Sequence, residues 1–106
     1  MPIRNDLSSL APVLKLNGAF IRKVDLSDAI LRGANLSRAD ASGALFRNSD
    51  FAGANLEGTI LKGADLTGAI NLTEEQLAVA IIDDGTRLPA YIDASKLGRL
   101  TTAGHQ

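Results

Sequence analysis

The sequence predicts a repeat solenoid: a chain that bends once every five residues and gathers its large apolar side chains along one axis. Three observations predict it. From Leu14 to Thr73 the chain parses into twelve consecutive blocks of five, LKLNG, AFIRK, VDLSD, AILRG, ANLSR, ADASG, ALFRN, SDFAG, ANLEG, TILKG, ADLTG and AINLT. The third position is Leu, Ile or Phe in ten blocks, and the first is Ala in eight and Ser, Thr or Val in three more. Gly fills the fifth position in seven blocks and no other position in this stretch.

A period of five excludes the regular alternatives. Five residues advance an α-helix about 140° beyond a full turn, so the apolar residues would smear around the helix. A strand alternates faces at every residue, so an odd period sends successive Leu side chains to opposite faces. A chain that bends once per block escapes both problems. Its third residue points to the axis, and Gly near the corner adopts backbone angles denied to other residues. The small first residue also faces the crowded interior. Asp or Asn at the second position (Asp25, Asn35, Asp40, Asp50, Asn55, Asp65) can hydrogen-bond nearby backbone at the bend.

Blocks such as ANLSR, ANLEG and ADLTG resemble the pentapeptide-repeat family, whose pattern is A-(D/N)-L-x-x. The resemblance covers residues 14–73. It implies an all-β solenoid: a right-handed quadrilateral parallel β-helix, four blocks to a coil, with about three coils and a short C-terminal capping α-helix. Third-position residues then align in four columns: Leu16/Leu36/Leu56, Ile21/Ala41/Leu61, Leu26/Phe46/Leu66 and Leu31/Phe51/Asn71. Ala41 lies across from Phe51 in the middle coil, a small side chain that makes room for the ring.

The ends need caps. At the C-terminal end the last block slips register, so that Asn71 takes the core position and Leu72 follows. Thr73 and Gln76 form a capping box, Leu72 and Leu77 a hydrophobic staple, and Glu74 and Glu75 lie in the first turn. This predicts a helix over 74–83 with Leu77, Ala80 and Ile81 on its buried face, stopped at Gly85. Residues 86–92 then run extended across the base, with Leu88, Pro89 and Ile92 as cover. The run NLTEEQLAVAIIDDGTRLP also resembles the family's closing segment. Residues 1–13 carry Leu7, Leu10 and Val13, on a short helix begun at Asp6, and either cap the first coil or pack against a second copy. Residues 93–106 read as a polar tail. The divisions are therefore 1–13, 14–73, 74–92 and 93–106.

Composition bounds the chemistry. No Cys means no disulfide and no thiolate metal site. The lone His105 is a solvated terminal residue, and nucleophilic catalysis lacks a base in the repeat region. Asp40 with Asp50, and Asp83 with Asp84, read as turn chemistry and a solvated helix end rather than an acid–base pair. The glycines recur every five residues and form no phosphate-binding loop. We expect no enzyme activity, no cofactor and no small-molecule substrate. No apolar run can span a bilayer and no secretory signal opens the chain, which points to the cytoplasm; the resemblance points to a bacterial source. Residues 14–73 carry seven basic and six acidic side chains, a mixed surface without a single-sign field. With few aromatic residues, this argues against nucleic-acid binding. Arg22, Lys23 and Lys62 share one side and read as a solvated face.

Apolar residues at second positions carry the functional signal. Phe20, Ile30, Leu45, Ile60 and Ile70 stand where Asp or Asn is usual. Phe20 and Ile60 share one side, Ile30 and Ile70 the opposite side, and each pair flanks an Asp. Either terminal segments cover them or they contact another chain. The leading expectation is a non-catalytic interaction or scaffold module that binds a protein partner or a second copy. The alternatives are a DNA-mimicking protein that binds a topoisomerase such as gyrase, disfavoured by the near-neutral repeats, and a small subunit or adaptor of a larger complex.

Overall fold

The computed structural model describes residues 14–101. Parallel bridges join residues twenty apart: Lys15 to Asn35 to Asn55, Phe20 to Asp40 to Ile60, Asp25 to Leu45 to Asp65, and Ile30 to Asp50 to Ile70. The chain thus returns on itself after four blocks and stacks in tiers of residues 14–33, 34–53 and 54–73. Within the repeats every bridge joins two second positions. The strands are single bridged residues, not extended runs, because the two positions that follow the core residue of each block form a turn.

Each turn is closed by a hydrogen bond from the first-position N–H of one block to the third-position carbonyl of the block before, as from Ala39 to Leu36 at 3.0 Å. Its fifth-position residue lies at positive φ, as a type II turn demands. Gly53 adopts +69° there at no steric cost. Lys23, Asp28, Arg38 and Asn48 adopt the same conformation despite their Cβ atoms, so the stack imposes the corner even where Gly is missing. Second-position carboxylates and amides brace the bend. Asp40 Oδ1 accepts from the Ser42 N–H and hydroxyl, and Asn35 Oδ1 accepts from those of Ser37.

The axis is filled by Leu31, Leu36, Ala41, Phe46, Phe51, Leu56, Leu61 and Leu66, all at most 1% exposed. First-tier Leu16, Ile21 and Leu26 pack against this core but are half-buried. Phe46 and Phe51 meet with ring centroids 5.4 Å apart, tilted by 59°. First positions are buried too from Ala34 onward, whereas in the first tier Leu14 and Val24 are exposed and Ala19 and Ala29 half-buried. Where they carry hydroxyls, Ser49 donates to the Leu26 carbonyl and Thr59 to the Leu36 carbonyl, both at 2.6 Å, so neither buried polar group is orphaned.

From the last block onward the structure departs from expectation in five places. Asn71 does not take the core position. It is exposed at φ 60°, donates to Asp50 Oδ1 at 2.9 Å, and turns the chain so that Leu72 enters the interior, 2% exposed. Asn tolerates the left-handed region, so the bend comes two residues early. Helix α1 spans Glu74–Ala78, not 74–83. The capping box of Thr73 and Gln76 starts it, and Leu77 is buried. Ile81 is therefore not on a helix; it bridges to Ile60 and is 42% exposed. Two backbone bonds of Ile81 to the third tier outweigh one more helical turn, and Ile82 packs on the core instead. Gly85 ends no helix: its N–H donates to Asp83 Oδ1 in a later turn. Residues 86–92 are not uniformly extended: Arg87 bridges Asp65, Pro89 and Ile92 are buried, and residues 90–91 lie in a turn. Finally, part of the expected polar tail is helical: α2 spans Ala94–Thr101, with Leu97 2% exposed. Asp93 starts it by accepting from Ser95, and its N–H donates to Glu74. The expectations for Leu7, Leu10, Val13, the helix begun at Asp6, and His105 lie outside the described residues.

Candidate interaction faces

The bridge columns define four flat sides, and second-position side chains stand outward on them. On one side lie Phe20, Asp40, Ile60 and Ile81; on the opposite side lie Ile30, Asp50 and Ile70. Phe20 is 86% and Ile30 76% exposed, and Ile70, Ile81 and Leu45 are exposed to lesser degrees. Ile60 is half-buried, because it lies in the ladder between Asp40 and Ile81. The five apolar second positions are thus distributed over three sides, two of which repeat the order apolar, Asp, apolar.

Three second-position Asp residues, Asp40 and Asp50 between apolar neighbours and Asp65 beside Leu45, each meet an arginine from the tier before. Arg22 meets Asp40 at 3.8 Å, Arg32 meets Asp50 at 3.0 Å, and Arg47 meets Asp65 at 3.7 Å. Each pair is fourth position to second position eighteen residues on. The interleaving of bases and acids along the repeats did not reveal these pairs, although the sequence carries their signal: an Asp eighteen residues after three of the four arginines in the repeats. The pairs are largely solvent-exposed on the arginine side, so each contributes little.

Hydrogen bonds set the carboxylate protonation more than these charges do. Asp40 lies below the usual carboxylate range chiefly through the Ser42 hydroxyl and N–H. Asp50 is lowered first by the Asn71 amide, against an opposing effect of burial, and Asp65 first by the Thr67 hydroxyl. Such carboxylates stay ionised and engaged, the opposite of a poised acid–base pair. Arg22, Lys23 and Lys62 do not act together: Arg22 serves Asp40, Lys62 lies near enough to Asp83 to lower its pKa further, and Lys23 occupies a turn corner.

The C-terminal end is covered by side chains of the closing segment. The Gln76 amide donates to the carbonyls of Phe51 and Ala54 at 2.8 and 2.9 Å. Thr86 donates to Leu61, and the Tyr91 hydroxyl donates to Ala69 while accepting from the Leu72 N–H. A shallow depression between α1 and α2 is lined by Glu74, Glu75, Ala78, Lys96 and Leu97, and an ion pair of 3.6 Å between Lys96 and Glu74 spans it. Among the described residues no group of three or more His, Cys, Asp or Glu could hold a metal, and no helix is long and apolar enough to cross a membrane.

The repeat geometry agrees with the family comparison. The model of pentapeptide repeats matches eight copies over residues 15–48 and 29–68. The chain belongs to the pentapeptide-repeat family. Solved relatives have the same β-solenoid fold. The pentapeptide repeat protein Rfr23 from the cyanobacterium Cyanothece 51142 is 30% identical with a TM-score of 0.64, over 73% of this chain and 52% of that one. A pentapeptide repeat protein from the Arabidopsis thaliana thylakoid lumen is 25% identical with a TM-score of 0.62, over 76% of this chain and 54% of that one. The chain spans about half the length of these two relatives. No curated protein matches it significantly.

Proposed function

We propose that this pentapeptide-repeat chain is a non-catalytic interaction or scaffold module that binds a protein partner through its flat sides. In this reading the solenoid is a right-handed quadrilateral helix of about three coils, closed at one end by α1 and the segment after it. One observation carries the proposal: Phe20 and Ile30 are 86% and 76% exposed at a position of the repeat that carries Asp or Asn in six of the twelve blocks. Large apolar side chains on a flat surface gain free energy by leaving water, about 25 cal/mol per Å² buried. The neighbouring Arg–Asp pairs supply a polar rim. The pinned carboxylates support a binding role over an enzymatic one. The topoisomerase reading draws no support from the surface, since Asp40, Asp50 and Asp65 are each matched by an arginine and form no acidic stripe.

The test is affinity capture with covalent cross-linking, comparing the natural chain with Phe20→Ser/Ile30→Ser. The variant keeps the fold and loses the cross-linked partner. Capture that is unchanged by the double substitution refutes the proposal. We further propose a bacterial cytoplasmic location, which fractionation of the source cell tests.

A further inference from the structure

The two ends of the stack differ. In the second tier each second-position residue turns both backbone groups toward the tier before it. The Asn35 N–H donates to Leu14 and its carbonyl accepts from Leu16, both at 2.8 Å; Asp40, Leu45 and Asp50 repeat the pattern. In the first tier the same groups point away from the stack. Among the described residues the N–H and C=O of Lys15, Phe20, Asp25 and Ile30 have no hydrogen-bond partner, nor do the carbonyls of Asn17, Arg22, Ser27 and Arg32. The far end is closed by Gln76, Ile81, Thr86, Arg87 and Tyr91.

We propose that this first-tier edge pairs two copies of the chain head to head. An unpaired edge is a template for another strand. Head-to-tail stacking is blocked because the closing segment occupies the far end, so filaments cannot grow. What remains is a two-fold contact in which the same edge meets itself.

One such axis makes the edge self-complementary. Running through the Phe20 and Ile30 sides, it lays the edges antiparallel and sets Phe20 beside Phe20 of the second copy. Lys15 then faces Asp25 of the second copy, and Asp25 faces Lys15 of the second copy. Each of these pairs exchanges two backbone hydrogen bonds, the pattern of a hydrogen-bonded antiparallel pair. Apolar beside apolar and cation beside anion are the favoured cross-strand neighbours. The rise of the spiral, about 4.8 Å per tier, leaves the Ile30 sides apart. The backbone edge carries this inference; Phe20 is shared with the partner-binding reading, and Ile70, remote from the edge, separates the two.

Sedimentation velocity on the full chain tests it. The natural chain is expected to sediment as a species of twice 11.1 kDa. Lys15→Pro removes an edge N–H that bonds nothing among the described residues and keeps the Leu16–Asn35 and Asn35–Leu14 bonds; it should raise the dimer dissociation constant at least about tenfold. Lys15→Glu should do the same and Lys15→Glu/Asp25→Lys should restore dimers, with circular dichroism reporting the fold in each case. Ile70→Ser, remote from the edge, should leave the mass unchanged while weakening partner capture. A natural chain that stays monomeric up to about 100 µM, where micromolar pairing would be saturated, overturns the proposal. So does a Lys15→Glu/Asp25→Lys variant that is folded but no more dimeric than Lys15→Glu.

Discussion

Replacing Phe51 with Ala removes a ring that is fully buried and in contact with Phe46, centroid to centroid 5.4 Å. The backbone bonds of Phe51 are untouched: its N–H still donates to Ile70, and its carbonyl still accepts from Gln76. The loss is therefore a cavity and an aromatic contact. A buried Phe→Ala change costs about 3–5 kcal/mol. The middle tier cannot collapse to fill the space, because each of its four sides is tied by backbone bonds to the tiers on both sides. The upper part of that range applies, and for a domain of this size it lowers Tm by at least about 15 °C. Phe20→Ala makes the same chemical change on a side chain that is 86% exposed, and should move stability by no more than about 0.5 kcal/mol. Thermal and urea unfolding of the two variants side by side provide the assay. Equal shifts would refute the inward and outward assignment of third and second positions.

Two further outcomes follow from the turns and the carboxylates. Gly53 sits at φ +69° with no atom nearer than the Gly33 backbone at 3.9 Å to an added Cβ, so Gly53→Ala costs only the left-handed conformation, about 1–2 kcal/mol. Gly53→Asn should cost clearly less, as Asn48 already occupies such a corner; equal urea midpoints for the two variants would contradict this cause. The folded-state pKa values of Asp40, Asp50, Asp65 and Asp83 lie below the ordinary 3.8. A depressed carboxylate stabilises the fold above its unfolded value and loses that contribution as pH falls through the folded one. Tm should be level above about pH 5 and fall as pH drops through 3.8 and below. A Tm at pH 3 no lower than at pH 7 would refute it.

The repeat made the core legible because period, side-chain size and corner chemistry all select the same geometry. Leu36, Phe46, Phe51 and Leu66 could be assigned to the axis from position alone, and the capping box at Thr73 from four residues. The exposed side chains Phe20 and Ile30 followed from the same count. What depends on contacts between distant residues was not legible. Asn71 was assigned inward because the count put it there; its left-handed turn and its bond to Asp50 reversed it with Leu72. The helix at Glu74 was drawn too long because a continuing pattern, Leu77, Ala80 and Ile81, cannot reveal that Ile81 finds a better partner in the third tier. Leu97 lies in the segment expected to be a polar tail, yet α2 packs against α1 and Leu97 joins the core. The amino-acid sequence by itself determined the spiral, since a local rule repeated every five residues admits no other packing. The tertiary structure alone decided where the spiral ends, how that end is closed and which backbone groups find no partner among the described residues. Those outcomes rest on hydrogen bonds between residues twenty or more positions apart, whose partners no local pattern names.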